Sequence, residues 1–455
     1  MVETEKAAST AEEPTEISLD DALAIAVSMH SEGKLDDAET IYRRILEVVP
    51  DHPDALNFLG MIAMTRGRRA EAVELIRQSL EADPTVGERY VNLGNVLLAT
   101  GRVDEALEAF ERAAAMAPDS SKAHCNLGVV YGIQRRFDEA KRVYERAIEL
   151  DPMNAEAHHN YGNLLGDIGD IQGSLKSHGK AIELRPSDPN SRRQVGAIYT
   201  AIGEIDKAAQ TYRDWLAHEP DSPLAQHLLA ACLGGKDVPD RASDAFIRHG
   251  FDTFALTFDA KLANLGYKAP ELVEAALRRR GIPADKRLVL LDAGCGTGLC
   301  GPLVAKYASR LEGVDLSGGM LEQARSRGIY DALAEEELTQ FLTARHDAYD
   351  VVLSADTLCY FGPLDAVTRA AAGALRPGGW LVFTVERADD AEAPQGHRIN
   401  PHGRYSHTSA YIEKTLAECG FEPCELVEDV LRQEAGSPVR GLVVTARKAG
   451  RNPVE

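Results

Sequence analysis

Pro50, Pro84, Pro118, Pro152, Pro186 and Pro220 fall at steps of 34 residues without slippage. Small residues keep the same frame at Ala26, Gly60, Gly94, Gly128, Gly162 and Gly196, and again at Ala38, Ala72, Ala106, Ala140, Ser174 and Ala208. Large ones do so at Tyr42, Ile76, Phe110, Tyr144, His178 and Tyr212. A fixed period of this length marks a stacked array of small supersecondary units, not one globular core. The small positions let two helices approach closely, and the large residue fills the space between repeats. Proline ends the second helix, since it lacks the backbone donor and restricts the residue before it. Six such units cover residues 18–222.

On these positions the array resembles the tetratricopeptide repeat, a helix–turn–helix unit. The resemblance implies a right-handed superhelix whose concave groove holds a peptide or a partner protein. Asn92, Asn126 and Asn160 recur in register in the first helices, with Gln194 next. Their amides are expected to line that groove and pair with an extended backbone, similar to the asparagine ladder of the O-GlcNAc transferase repeats. A solvated polar face is the competing reading, because exposed polar positions are common in solenoids. Residues 223–241 read as a capping helix, Pro223 to Leu233, followed by a linker at Gly234–Asp240. Residues 1–17 have no apolar period and read as a disordered acidic tail, and 449–455 as a second short tail.

From Ala242 the pattern changes. Leu288-Val289-Leu290-Leu291 reads as a buried parallel strand, and Asp292-Ala293-Gly294-Cys295-Gly296-Thr297-Gly298 as a sharp loop opening a helix from Leu299 to about Ser309. A dinucleotide fingerprint would want its third glycine where Leu299 stands, which disfavours a nicotinamide-dependent dehydrogenase. Further strands are predicted at Leu311–Asp315, Tyr349–Asp356 and Trp380–Glu386, with helices between them and a late pair near Cys424–Val430 and Val439–Ala446. Alternating strands and helices predict a doubly wound, Rossmann-like sheet over 242–448, with an antiparallel hairpin at one edge and the site at the strands' carboxyl ends. The fold class is therefore α + α/β: an all-α solenoid followed by this domain.

The acid at Asp292, the glycines at 294, 296 and 298, and Asp315 twenty-one residues beyond Gly294 resemble class I S-adenosylmethionine-dependent methyltransferases. Gly313-Val314-Asp315-Leu316-Ser317-Gly318-Gly319-Met320-Leu321 and Leu375-Arg376-Pro377-Gly378-Gly379 look like that family's later segments. The whole chain resembles bacterial predicted methyltransferases carrying N-terminal tetratricopeptide repeats. The resemblance implies that Asp292, Gly294, Cys295, Gly296, Thr297, Gly298, Asp315, Leu316, Glu337 and Asp356 bind the donor. Asp315 would take the ribose hydroxyls and Glu337 would lie near the adenine. Glu335 and Glu336 depart from the apolar third strand expected there.

Methyl transfer from a sulfonium is an in-line displacement, so the protein mainly positions the reactants and excludes water. A base is needed only when the acceptor keeps its proton near neutral pH. His407, Tyr360 and Arg404 are the candidate catalytic residues, with Asp356 and Glu386 near them. His407 is expected at the start of a helix, where it could equally bond backbone. No Asn-Pro-Pro-aromatic or Asp-Pro-Pro-Tyr segment follows the fourth strand, which favours an oxygen acceptor. A repeat scaffold with a donor-binding but inactive domain is the alternative.

A net charge of −21 offers no global attraction to nucleic acid or an anionic membrane. Seven cysteines without a CxxC pair suggest neither disulfides nor zinc. No stretch approaches a membrane span and the N-terminus lacks an apolar leader, so a cytoplasmic enzyme without a metal is expected.

Overall fold

The structure, a computed structural model, describes residues 17–235, 238–252, 254–255, 257–434 and 437–450. Most of both predicted tails, and Lys236-Asp237 of the predicted linker, lie outside the described residues. The chain divides into two compact units, residues 1–185 and 186–455.

The first unit is built of helix pairs. Each repeat contributes two helices: α1 (Leu19–Ser31) with α2 (Leu35–Val48), α3 (Pro53–Thr65) with α4 (Arg69–Ala82), α5 (Gly87–Ala99) with α6 (Val103–Met116), α7 (Ser121–Ile133) with α8 (Phe137–Leu150), and α9 (Ala155–Asp167) with α10 (Ile171–Leu184). From the second to the fifth repeat, the in-frame glycine of the first helix faces the in-frame large residue of its own partner helix. A Cβ placed on Gly94 would stand 2.6 Å from the Phe110 ring, and one on Gly128 would stand 2.5 Å from Tyr144. The large residue thus packs across its own helix pair, against a position where any side chain would hold the helices apart. Between the helices of a pair the chain takes a left-handed turn at Gly33, Gly67, Gly101 and Gly169, where glycine removes the Cβ clash. Arg135 occupies that position in one repeat, at φ 58°.

The second unit begins with the sixth repeat, α11 (Pro189–Ala201) and α12 (Ile205–His218), and the capping helix α13 (Pro223–Leu233). Helices α14 (Asp244–Asp252), α15 (Phe258–Asn264) and α16 (Ala269–Arg279) lead into the sheet. Its strands are β1 (Leu288–Ala293), β2 (Ala308–Asp315), β3 (Ala332–Glu335), β4 (Tyr349–Ser354), β5 (Leu375–Arg387), β6 (His397–Ile399), β7 (Tyr405–His407), β8 (Glu425–Glu434) and β9 (Ser437–Arg447). Strands β3-β2-β1-β4-β5 are parallel neighbours in that order, which places the reversal of strand order between β1 and β4. Strand β9 lies antiparallel to β5 and to β8, giving the predicted edge hairpin. Helices α17 (Gly301–Val304), α18 (Gly318–Ser326), α19 (Leu338–Thr343), α20 (Asp365–Ala374) and α21 (Ser409–Glu418) complete the unit. Leu290, Leu291, Val352, Leu353, Val382 and Phe383 are buried, as near-continuous apolar parallel strands require.

Three local expectations are corrected. The helix after the glycine loop runs only from Gly301 to Val304, because Gly298, Gly301 and Pro302 delay its start and β2 already begins at Ala308. The third strand ends at Glu335, and Glu337 lies beyond it as the N-cap of α19, its carboxylate accepting from the Gln340 N–H at 2.9 Å. Residues Tyr405–His407 form strand β7, pairing parallel with Glu386 and Arg387 at the end of β5; the following helix starts at Ser409, capped by Thr408.

Candidate active site

The loop after β1 sits where a doubly wound sheet opens at its carboxyl edge, beside the reversal of strand order. Gly294, Gly296 and Gly298 all have positive φ. At Gly294 a Cβ would stand 2.2 Å from Thr357 Oγ1, so the loop lies directly on the chain following β4. At Gly296 a Cβ would meet nothing within 4 Å, so the space above it is open. Asp315, at the end of β2, holds the loop from the side: its Oδ2 accepts from Gly296 N at 2.8 Å and its Oδ1 from Ser317 N at 2.9 Å. Burial raises the Asp315 carboxyl above its usual range, against those two backbone donors.

Below the loop, Asp292 accepts from the Tyr330 hydroxyl at 2.6 Å, and its other oxygen is buried without a partner among the described residues. Burial pushes its carboxyl up to about 7. Asp259, preceding the sheet in sequence, accepts from the Thr297 hydroxyl at 2.5 Å and pairs with Arg327, whose Nε donates to Thr297 O at 2.6 Å. The loop is therefore fixed on every side except the one above Gly296.

That open side faces a cavity of about 890 Å³. Gly294, Cys295, Gly296, Thr297, Asp315, Leu316 and Glu337 line one part of it; Asp356, Tyr360 and Arg404 line another. Asp292, Gly298 and His407 do not reach it. His407 is fully buried, its Nε2 is 2.8 Å from Gly362 O, and burial pulls its pKa down to about 4. The expectation of a catalytic base at His407 is corrected: it is a neutral core residue bonded to backbone.

The second part of the lining is an ion network. Arg432, on β8 and 2% exposed, donates through one nitrogen to both oxygens of Asp356 at 2.8 Å and through Nε to Glu434 at 2.6 Å, and it also pairs with Glu386. Arg404 donates to Glu386 at 2.7 Å and pairs with Glu434. Burial alone would lower both arginines, but the surrounding carboxylates outweigh it and raise them. Burial likewise works against the Glu386 charge, and the two arginines bring its pKa below the usual range. Asp356 holds a positive φ of 56° at the end of β4, a strained conformation of the kind kept where the surroundings over-determine it. Arg404 is thus a paired member of the wall. Arg432 and Glu434 were missed by sequence reasoning, since the network ties them to Arg404, Glu386 and Asp356, which lie 30 to 76 residues away along the chain. Within β8 only Leu431 and Arg432 are buried, so no apolar run in the sequence marks Arg432 as internal.

In the first unit, Asn92 donates to Asn57 at 3.1 Å and Asn160 to the Cys125 sulfur at 3.5 Å. The Asn126 amide nitrogen is buried with no partner among the described residues. No group of three or more metal-ligating side chains occurs among the described residues, and no described helix is long and apolar enough to cross a membrane.

Residues 291–383 match the methyltransferase domain family, and residues 31–86, 88–153 and 143–176 match tetratricopeptide repeat families. This chain joins tetratricopeptide repeats to a methyltransferase domain. The methyltransferase family and its O-methyltransferase members are S-adenosylmethionine-dependent. Human methyltransferase-like protein 27 is 33% identical over 151 residues, which is 32% of this chain and 60% of that protein. The ubiquinone biosynthesis O-methyltransferase of Bordetella avium is 32% identical over 152 residues, 30% of this chain and 62% of that enzyme. The chain thus spans about three-fifths of the length of these curated relatives. Among solved structures, that of MamA is 26% identical, covering 36% of this chain and 95% of MamA with a TM-score of 0.33.

Proposed function

We propose that the chain transfers the methyl group of S-adenosylmethionine to an oxygen acceptor, and that the repeats of its first unit recruit a protein or peptide partner. The observation that carries the donor assignment is the open cradle over Gly296, bounded by Asp315 and otherwise braced on all sides. Gly296 and Thr297 would hold the methionine end of the donor, Asp315 its ribose, and Leu316 and Glu337 would border the adenine. The donor supplies an activated methyl group on a sulfonium; the residues of this chain hold it and keep water out. Tyr360 is the hydroxyl nearest in role to an acceptor-positioning group, because it lines the cavity next to the Asp356–Arg432 pair. Burial raises its pKa, so it stays protonated and serves as a donor of a hydrogen bond.

An oxygen acceptor is supported by the ubiquinone O-methyltransferase relatives and by the missing Asn-Pro-Pro-aromatic segment. Partner recruitment is supported by the repeat families. Calorimetric titration with S-adenosylhomocysteine tests the core of this reading. Wild type should bind it, and Gly296→Val should lose binding because the new side chain occupies the cradle. Asp315→Ala should weaken it by roughly 1.5–3 kcal/mol, the scale of hydrogen bonds to a charged group. Undiminished affinity in Gly296→Val would sink the assignment.

A further inference from the structure

The cavity has a third part, formed by the last repeat. Arg193 on α11, Lys261 on α15 and Phe254 between those helices in sequence all line it. The Arg193 guanidinium carbon is 5.0 Å from the centroid of the Phe254 ring, and the Lys261 ammonium is 4.5 Å from the same centroid. Two cations therefore share one aromatic ring.

Neither has an ion pair among the described residues. The other cations of the lining do: Arg241 pairs with Asp244 at 2.7 Å, and Arg404 and Arg432 lie within their carboxylate network. The ring face attracts each cation and fixes its place, but it accepts none of their N–H hydrogen bonds in the way a carboxylate would. Burial lowers the pKa of both groups, and the Arg193 charge lowers that of Lys261 further. An anion placed beside them would relieve that repulsion and accept their N–H hydrogen bonds, since an opposite charge within a few ångströms favours the charged form. Arginine and lysine together suit a carboxylate or a phosphate oxygen.

We propose that Arg193 and Lys261, held on Phe254, bind an anionic group of the methyl acceptor, a carboxylate or a phosphate. This rests on the methyl-transfer reading for the identity of the ligand as an acceptor. The position fits that role. The donor cradle and the Tyr360 region take up other parts of the lining, and Phe251 lies edge-on to Tyr360 at 5.6 Å and to Phe258 at 5.8 Å. A ligand reaching from the donor to the cations would run along aromatic surface. The volume, about 890 Å³, lies near the top of the roughly 300–1,000 Å³ range of small-molecule sites, large enough for a donor and a small acceptor together. Since Arg193 belongs to the sixth repeat, that repeat would be a wall of the catalytic site and not only a link in a solenoid.

The test uses the full chain and three probes that share one phenyl ring: benzoate, phenyl phosphate and the neutral benzyl alcohol. Binding is followed by ligand-observed magnetic resonance, with S-adenosylhomocysteine affinity measured on the same samples. At least one anionic probe should bind ten-fold or more tighter than benzyl alcohol, and the stronger of the two identifies carboxylate or phosphate. That preference should vanish in the double variant Arg193→Gln/Lys261→Gln, with S-adenosylhomocysteine affinity unchanged. Arg193→Lys, which keeps the charge, should retain it within about three-fold, and Lys261→Gln alone, at an exposed side chain, carries the test should the double variant fail to fold. Anionic probes no tighter than benzyl alcohol, or a preference untouched by the variants, would overturn the proposal. So would loss of S-adenosylhomocysteine affinity in the variants, which would give the pair to the donor's own carboxylate. Wild type that binds the anions but not S-adenosylhomocysteine would leave the anion site standing and remove the donor reading.

Discussion

Two buried groups in the second unit, Asp292 and His407, lie outside the cavity lining and act on the fold. Asp292 is 1% exposed beneath the glycine loop, and burial raises its carboxyl from 3.8 to about 7. The folded chain therefore keeps this proton over a range in which the unfolded chain has lost it. Stability falls as pH rises through that window, from about 4 to about 7, and the whole penalty is present above it. Asp292→Asn removes the ionisation while leaving an oxygen for the Tyr330 hydroxyl. Melting curves should show the variant gaining on wild type by about 1–3 kcal/mol between pH 4.5 and pH 8; parallel curves at the two pH values would refute the assignment. His407 is fully buried in β7, with its ring stacked beside Tyr411 at 6.1 Å between centroids. With burial holding its pKa near 4, it carries no charge at neutral pH, and it does not line the cavity. His407→Ala should cost about 2–4 kcal/mol through the cavity left and the unpaired Gly362 carbonyl, with S-adenosylhomocysteine affinity kept. A loss of donor affinity without a loss of stability would return His407 to the site.

At the scale of elements, the repeat glycines make a matched comparison within one helix. In α7, Gly128 faces Tyr144 at a hypothetical Cβ distance of 2.5 Å, while Gly132 meets nothing within 4 Å. Gly128→Ala should destabilise the first unit by about 1–3 kcal/mol through overpacking. Gly132→Ala should stabilise it by roughly 0.5–1 kcal/mol, because alanine loses less backbone entropy in a helix. Denaturant midpoints of the two variants should move in opposite directions; equal shifts would mean that the glycine-to-aromatic packing is misassigned. This packing was legible in the sequence because the period of 34 repeats the same local problem, and a local pattern needs no knowledge of distant partners. The β1 loop and Asp315 were legible for a related reason, since a buried strand, a glycine turn and a strand-ending acid are contiguous signals. The short α17, the strand β7 and the N-cap role of Glu337 were not. Each is decided by what the neighbouring chain pairs with: β7 exists because Glu386 and Arg387 offer backbone partners to Ser406 and His407. The Arg432 network was hidden on the same ground, as its carboxylates come from β8 itself, from the end of β5 and from the turn after β4.

For the whole molecule, the division into compact units matters more than the change in sequence pattern. Composition and punctuation place a break at 223–241, yet the second unit begins at Pro186 and includes the sixth repeat and the capping helix. Specific contacts tie these helices to the methyltransferase fold. His227 of α13 lies 2.8 Å from Gly403 O, and its ring lies 4.0 Å from that of Phe246 between centroids. The Tyr405 hydroxyl donates to Pro239 O, Gly362 N donates to Asp240 O at 2.7 Å, and Ala242 N to Tyr360 O at 2.8 Å. Trp215, Leu224 and Leu228 supply apolar wall to the cavity itself. Removing everything before Ala242 would expose Phe246 and open one side of the cavity to water, whereas cutting before Pro186 keeps these contacts. A fragment of residues 186–455 should therefore be soluble, unfold in one transition and bind S-adenosylhomocysteine within about three-fold of the full chain. A fragment of residues 242–455 should aggregate, or melt at least about 5 °C lower, the shift expected when one or two kcal/mol is lost from a unit of this size. If the shorter fragment matches the longer one in melting temperature and donor affinity, the sixth repeat and the capping helix contribute neither to the stability of the sheet domain nor to its donor site.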